Sequence, residues 1–60
     1  MPHDQNAMLE PGMFVQHPQA PEWGRGQVQS NIGARITVNF EHQGKQVIDS
    51  TRILLLPVYD

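Results

Sequence analysis

Residues 35 to 41, Arg-Ile-Thr-Val-Asn-Phe-Glu, alternate polar and apolar side chains for seven positions without an error. A period of two places Ile36, Val38 and Phe40 on one face of an extended strand and Arg35, Thr37, Asn39 and Glu41 on the other. A helix would instead need apolar residues at three- and four-residue spacing, and the inward-facing set is β-branched or aromatic, the types that suit a pleated surface. This stretch predicts a half-buried β-strand and fixes which side faces the core.

The rest of the chain reads as shorter strands separated by glycine and proline. Met13 to His17 is extended, and Pro18 and Pro21 bracket a loop in which no helix is expected. Gln27-Val28-Gln29 alternates, Asn31-Ile32-Gly33 carries turn chemistry, and His42 to Lys45 is a second turn leading to Gln46-Val47-Ile48. Asp49-Ser50-Thr51 suits one turn of 3₁₀ helix before a closing strand, Ile53 to Val58. In that strand Ile53 and Leu55 are expected inward, Leu54 and Leu56 outward. Residues 1 to 10 show no period and read as a flexible arm, with Met8 and Leu9 as the side chains able to cover Leu54 and Leu56. The domain is expected over residues 11 to 58, with 59 and 60 as its end.

Sixty residues support one domain. A chain of this size buries about 60% of the surface its unfolded form exposes, which implies a stability of roughly 3 to 9 kcal/mol. There is no cysteine, hence no disulfide staple or thiolate zinc site. The longest apolar run, Ile53 to Leu56, is far too short to span a membrane, and the first residues lack the pattern of a signal peptide; a cytoplasmic location is the expectation. The net charge of −2 argues against a protein that depends on phosphate neutralisation. Five short strands and no helical period point to an all-β fold, a small five-stranded SH3-like (Tudor-like) barrel with a short 3₁₀ turn before the last strand.

The stretch Pro21-Glu-Trp-Gly-Arg-Gly-Gln-Val28 holds the single tryptophan. A phosphate-binding loop would need a third glycine at position 29, which is Gln, and a helix to follow. A methyl-lysine cage would need several converging rings, and Phe40 is committed to the core. The reading that remains is a corner: Trp23 buries roughly 150 to 250 Å² at one end of the core while the glycines on either side of Arg25 turn the chain into the next strand. One edge of the indole stays available to a protein partner.

His3, His17 and His42 match no compact metal-ligand spacing. Ser30, Ser50 and Thr51 lack a base with its own orienting group, and a packed domain of this length leaves little room for a catalytic pocket. No enzyme, metal or cofactor is expected.

Three strings carry a resemblance: Pro11-Gly-Met-Phe-Val-Gln-His-Pro18, Pro21 to Val28, and Ile36-Thr-Val-Asn-Phe-Glu-His-Gln-Gly-Lys-Gln-Val-Ile48. Together they resemble a family of small bacterial proteins, mostly alphaproteobacterial, termed domain of unknown function 3553, over residues 11 to 58. A shorter pattern, Gly12-x-x-Val15-x-His17, then Trp23-Gly24-x-Gly26-x-Val28, then Val38-x-Phe40, is similar to the Tudor-like domain at the carboxyl end of UvrD and PcrA helicases. The RNA-polymerase-interacting domain of CarD-like proteins is a more distant likeness. Position 13 departs from those modules, being Met where they often carry a polar residue. The resemblance implies an SH3-like barrel that docks on protein, with RNA polymerase or a DNA-repair factor as partner. The expected contact residues are Trp23, Arg25, Arg35, Leu54 and Leu56. The alternative is an accessory nucleic-acid-binding module using Arg25, Arg35, Lys45 and Arg52. A monomer or a weak homo-oligomer through the Leu54 and Leu56 face is expected.

Overall fold

The computed structural model describes residues 9–59. Five strands form one antiparallel sheet: β1 (Phe14–Gln16), β2 (Arg25–Ile32), β3 (Arg35–Phe40), β4 (Gly44–Asp49) and β5 (Leu56–Val58). Their order across the sheet is β4-β3-β2-β1-β5. β4 and β5 are its two edges and do not pair with each other, so the hydrogen bonding does not close into the expected barrel. The architecture is all-β: one open sheet over one core. Among the described residues there is no α-helix, and none that is long and apolar enough to cross a membrane.

The alternation in β3 carries through to burial: Ile36, Val38 and Phe40 are buried while Arg35 and Asn39 are exposed. Val15, Val28 and Ile48 join them from the neighbouring strands, and Leu9 and Leu55 complete the cluster from segments outside the strands. One residue of the expected arm is therefore core, because the Asn31 side-chain amide donates to the Leu9 carbonyl at 2.9 Å and ties that segment across the sheet. Glu10 is also placed, its carbonyl accepting from the Met13 amide at 3.0 Å, whereas Met8 and residues 1 to 7 lie outside the described residues.

β2 is longer than its sequence suggests. Its register with β3 slips between Val28 and Ser30, so Gln29 is the extra residue of a β-bulge. Before the slip Gly26 and Val28 face the core; after it the phase reverses and Asn31 lies opposite buried Ile36. Asn31 and Ile32 consequently belong to the strand, and the turn contracts to Gly33 and Ala34.

The 3₁₀ turn lies at Pro21–Trp23, where no helical turn was expected, and not before the last strand. Proline suits the first position of such a turn because its missing N–H would be unsatisfied there anyway. Residues 49 to 53 form a hydrogen-bonded turn instead, with the Arg52 and Ile53 amides donating to the Asp49 carbonyl at 3.0 and 3.1 Å. β5 shrinks to three residues because its only partner, β1, offers three. The inward and outward assignment of residues 53 to 56 holds: Leu55 is 1% exposed, Leu54 46% and Leu56 47%.

Candidate protein-docking face

Trp23 is set by the corner that precedes β2. Its amide donates to the Ala20 carbonyl at 3.0 Å, closing the 3₁₀ turn, and its carbonyl accepts from His42 N–H at 3.0 Å. Gly24 follows with φ 79, in the left-handed region, and a Cβ there would meet the His42 ring at 2.7 Å. The indole packs edge-on against Phe40, with centroids 5.2 Å apart, and tilted against buried His17 at 4.9 Å. The half-buried ring flanks the core, as a corner anchor should. His17 Nδ1 accepts from the Gln19 amide at 3.1 Å, which holds its ring in place.

The solvent face of the sheet is built by cross-strand rows, because residues directly opposite one another share a face. One row runs Val58, Phe14, Gln27, Asn39, Lys45, and the adjacent one runs Leu56, Gln16, Arg25. Arg25 lies with its guanidinium carbon 4.6 Å from the Phe14 ring centroid, a cation–π arrangement. Its backbone is locked to Glu41: the Arg25 amide donates to Glu41 Oε1 at 3.0 Å, and its carbonyl accepts from Glu41 N–H at 3.0 Å. Phe14, Arg25, Gln27, Asn39, Phe40, Glu41 and Gly44 surround an open concavity of about 400 Å³. Amide side chains and a ring face thus line a shallow strip, bordered by Leu56 and Val58.

The expected contact residues do not all converge. Arg25 and Leu56 share this face, two strands apart with Gln16 between them. Leu54 lies two residues before Leu56, outside the strand, and Trp23 belongs to the core side. Arg35 sits at the far end of β3, about 20 Å from the Arg25 row by strand rise, opposite Ile32 and Asp49. Phe14 was missed as a face residue. The run Met13-Phe14-Val15 is apolar throughout, so its phase shows only once buried Val15 is placed.

The four cations likewise divide into two pairs. Arg25 and Lys45 edge the concave strip, whereas Arg35 and Arg52 gather around Asp49, with Arg52 Nε 3.7 Å from Asp49 Oδ2. Asp49 Oδ1 accepts from the Thr51 hydroxyl at 2.6 Å and the Thr51 amide at 2.9 Å. Those two hydrogen bonds, then the Arg52 and Arg35 charges, hold its pKa below the ordinary 3.8. A lowered carboxyl pKa adds stability that is full above the unfolded value and fades as pH falls through the folded one. The melting-temperature gap between wild type and Asp49→Asn is therefore expected to be full at about pH 5 and to narrow progressively under pH 3.8. A gap that stays constant from pH 5 to 2.5 by circular dichroism contradicts it. Among the described residues no group of three or more histidines or carboxylates stands where it would hold a metal.

No curated protein and no solved structure matches the chain. The likeness to the helicase and CarD-like modules thus rests only on the residues quoted above. A family model does match, over residues 9–58, nearly the whole described chain and starting at the leucine that enters the core. The chain belongs to the family described as protein of unknown function, DUF3553.

Proposed function

We propose that this protein is a non-catalytic interaction module whose solvent-facing sheet surface docks on a partner protein. The observation that carries the reading is the amphipathic strip on β5, β1, β2 and β3: Phe14 under Arg25, with Gln27 and Asn39 on one side and Leu56 and Val58 on the other. An aromatic ring and an arginine in one contact, ringed by amides, is the composition of an interface hot spot. The residue pattern Gly12-x-x-Val15-x-His17 with Trp23-Gly24-x-Gly26 directs the search to RNA polymerase and to repair assemblies. A nucleic-acid role fits less well, because carboxylates stand among both cation pairs: Glu41 beside Arg25, and Asp49 between Arg35 and Arg52.

The test is titration of purified bacterial RNA polymerase, and separately a repair helicase, into the isotope-labelled protein. Amide shifts or broadening are expected at Phe14, Gln16, Arg25, Gln27 and Leu56, and Phe14→Ala with Leu56→Asp is expected to weaken binding about tenfold or more. Perturbation confined to the Arg35 and Asp49 end, or none at all, overturns the proposal. Saturable shifts at Arg25 and Lys45 with DNA in about 50 mM salt, and none with protein, transfer the face to nucleic acid.

A further inference from the structure

The two edges of the sheet are protected unequally. β5 is three residues long and contains Pro57, which has no N–H to offer an incoming strand. β4 is six residues long, contains no proline, and stays in unbroken register with β3 through all six pairs, from Arg35↔Asp49 to Phe40↔Gly44. Such an edge presents a continuous row of backbone donors and acceptors, the template on which another strand adds.

The side chains on β4 specify which strand. On the solvent face Lys45, Val47 and Asp49 follow one another at period two. Val47 is 62% exposed at the centre, with a cation two residues before it and a carboxylate two residues after. An antiparallel copy of the same strand, related by a two-fold axis through Val47, sets Val47 against its equivalent. The same axis sets each Lys45 opposite the other chain's Asp49, twice. Asp49 can take part in this pairing: Oδ1 is taken by Thr51, while Oδ2 lies 3.7 Å from Arg52 on a side chain that is 51% exposed, with Arg35 across from it on β3. On the opposite face half-buried Gln46 lies across from Ile48 of the second copy. A parallel arrangement in the same alignment would put lysine beside lysine, so the charges select the antiparallel pairing.

We infer that β4 is a self-association edge, through which a second copy of this chain pairs about Val47 and doubles the five-stranded sheet. This goes beyond the docking face, which spans β5, β1, β2 and β3 and reaches β4 only at Gly44 and Lys45; a strand added in the plane of the sheet leaves that face open in the dimer. The contact is a single strand edge, so association is weak and depends on concentration.

Sedimentation equilibrium on the full chain, from tens of micromolar to about a millimolar, tests it alongside amide exchange of β4. A monomer–dimer equilibrium is expected, with β4 amides slowing at high concentration. Lys45→Asp, an exposed change that leaves the fold intact, sets carboxylates against each other at both ends and is expected to weaken the dimer about tenfold or more. Val47→Lys should do the same through its own charge repulsion at the axis. Combining Lys45→Asp with Asp49→Lys restores opposite charges and is expected to recover association relative to Lys45→Asp alone, with the folded amide spectrum as control. Three outcomes overturn the inference: a monomer throughout, a dimer indifferent to Lys45→Asp and Val47→Lys, or a dimer lost only on Leu56→Asp. The last assigns association to the β5 side, and neither of the first two touches the docking proposal.

Discussion

Replacing Gly26 with alanine is expected to lower the melting temperature by about 12 to 24 °C. Gly26 lies in β2 between Val15 and Phe40, on the core side of the sheet. A methyl built on it would run into Val38 and stand 2.7 Å from the Phe40 ring, closer than real carbon contacts come. Both neighbours are buried, so neither has room to give. Overpacking of a core costs about 1 to 3 kcal/mol, and a site where two fixed side chains are struck belongs at the upper end. In a domain this small each kcal/mol shifts the midpoint by roughly 4 to 8 °C. Gly33→Ala is the control: its methyl meets nothing within 4 Å, and only the positive φ of 60 opposes it. That backbone penalty is about 1 to 2 kcal/mol. Thermal melts followed by circular dichroism decide the matter; a Gly26→Ala midpoint within about 4 °C of wild type would mean the core shifts aside freely.

The second large effect separates two adjacent leucines. Leu55 is 1% exposed and packs in the central cluster, so Leu55→Ala removes buried methyl groups and leaves a cavity, at a cost of about 2 to 5 kcal/mol. Leu54, at 46% exposure, makes no comparable burial, and Leu54→Ala is expected within about 0.5 kcal/mol of wild type. Urea denaturation of both variants measures the contrast directly. Equal losses at the two positions would mean that the phase of the segment is wrong. With a total stability of roughly 3 to 9 kcal/mol, Leu55→Ala at the upper end of its range leaves little or no folded protein, which would itself appear as a collapsed amide spectrum.

The fold was legible where side-chain period and burial say the same thing. Residues 35 to 40 announce both strand and inward face; in the uniformly apolar Ile53 to Leu56, alternation requires only that neighbours take opposite sides, and the burial of Leu55 sets which pair turns inward. Three features escaped for identifiable reasons. The bulge at Gln29 reverses the alternation within β2, so Asn31 and Ile32 looked like turn residues when read as a continuous pattern. Proline at position 21 was weighed as a helix breaker, although at the first position of a 3₁₀ turn it loses nothing. Leu9 enters the core through one long-range hydrogen bond from Asn31, 22 residues away, which no local pattern announces. Of the proposed docking face, the sequence points to Arg25 and Leu56, whereas the position of Phe14 beneath the guanidinium depends on strand phase and the distance to Arg35 on register.

The placement of the lone indole has a practical consequence. Its emission reports on a single spot, where the first loop, the aromatic pair and the last residues before β4 meet through Trp23, Phe40 and His42. That spot adjoins the Arg25 end of the strip, because Phe40 also lines the concavity and Glu41 accepts from the Arg25 amide, so intrinsic fluorescence is expected to respond to docking there as well as to unfolding. A spectral change on adding a ligand would therefore place contact at the Arg25 end of the strip, next to the corner.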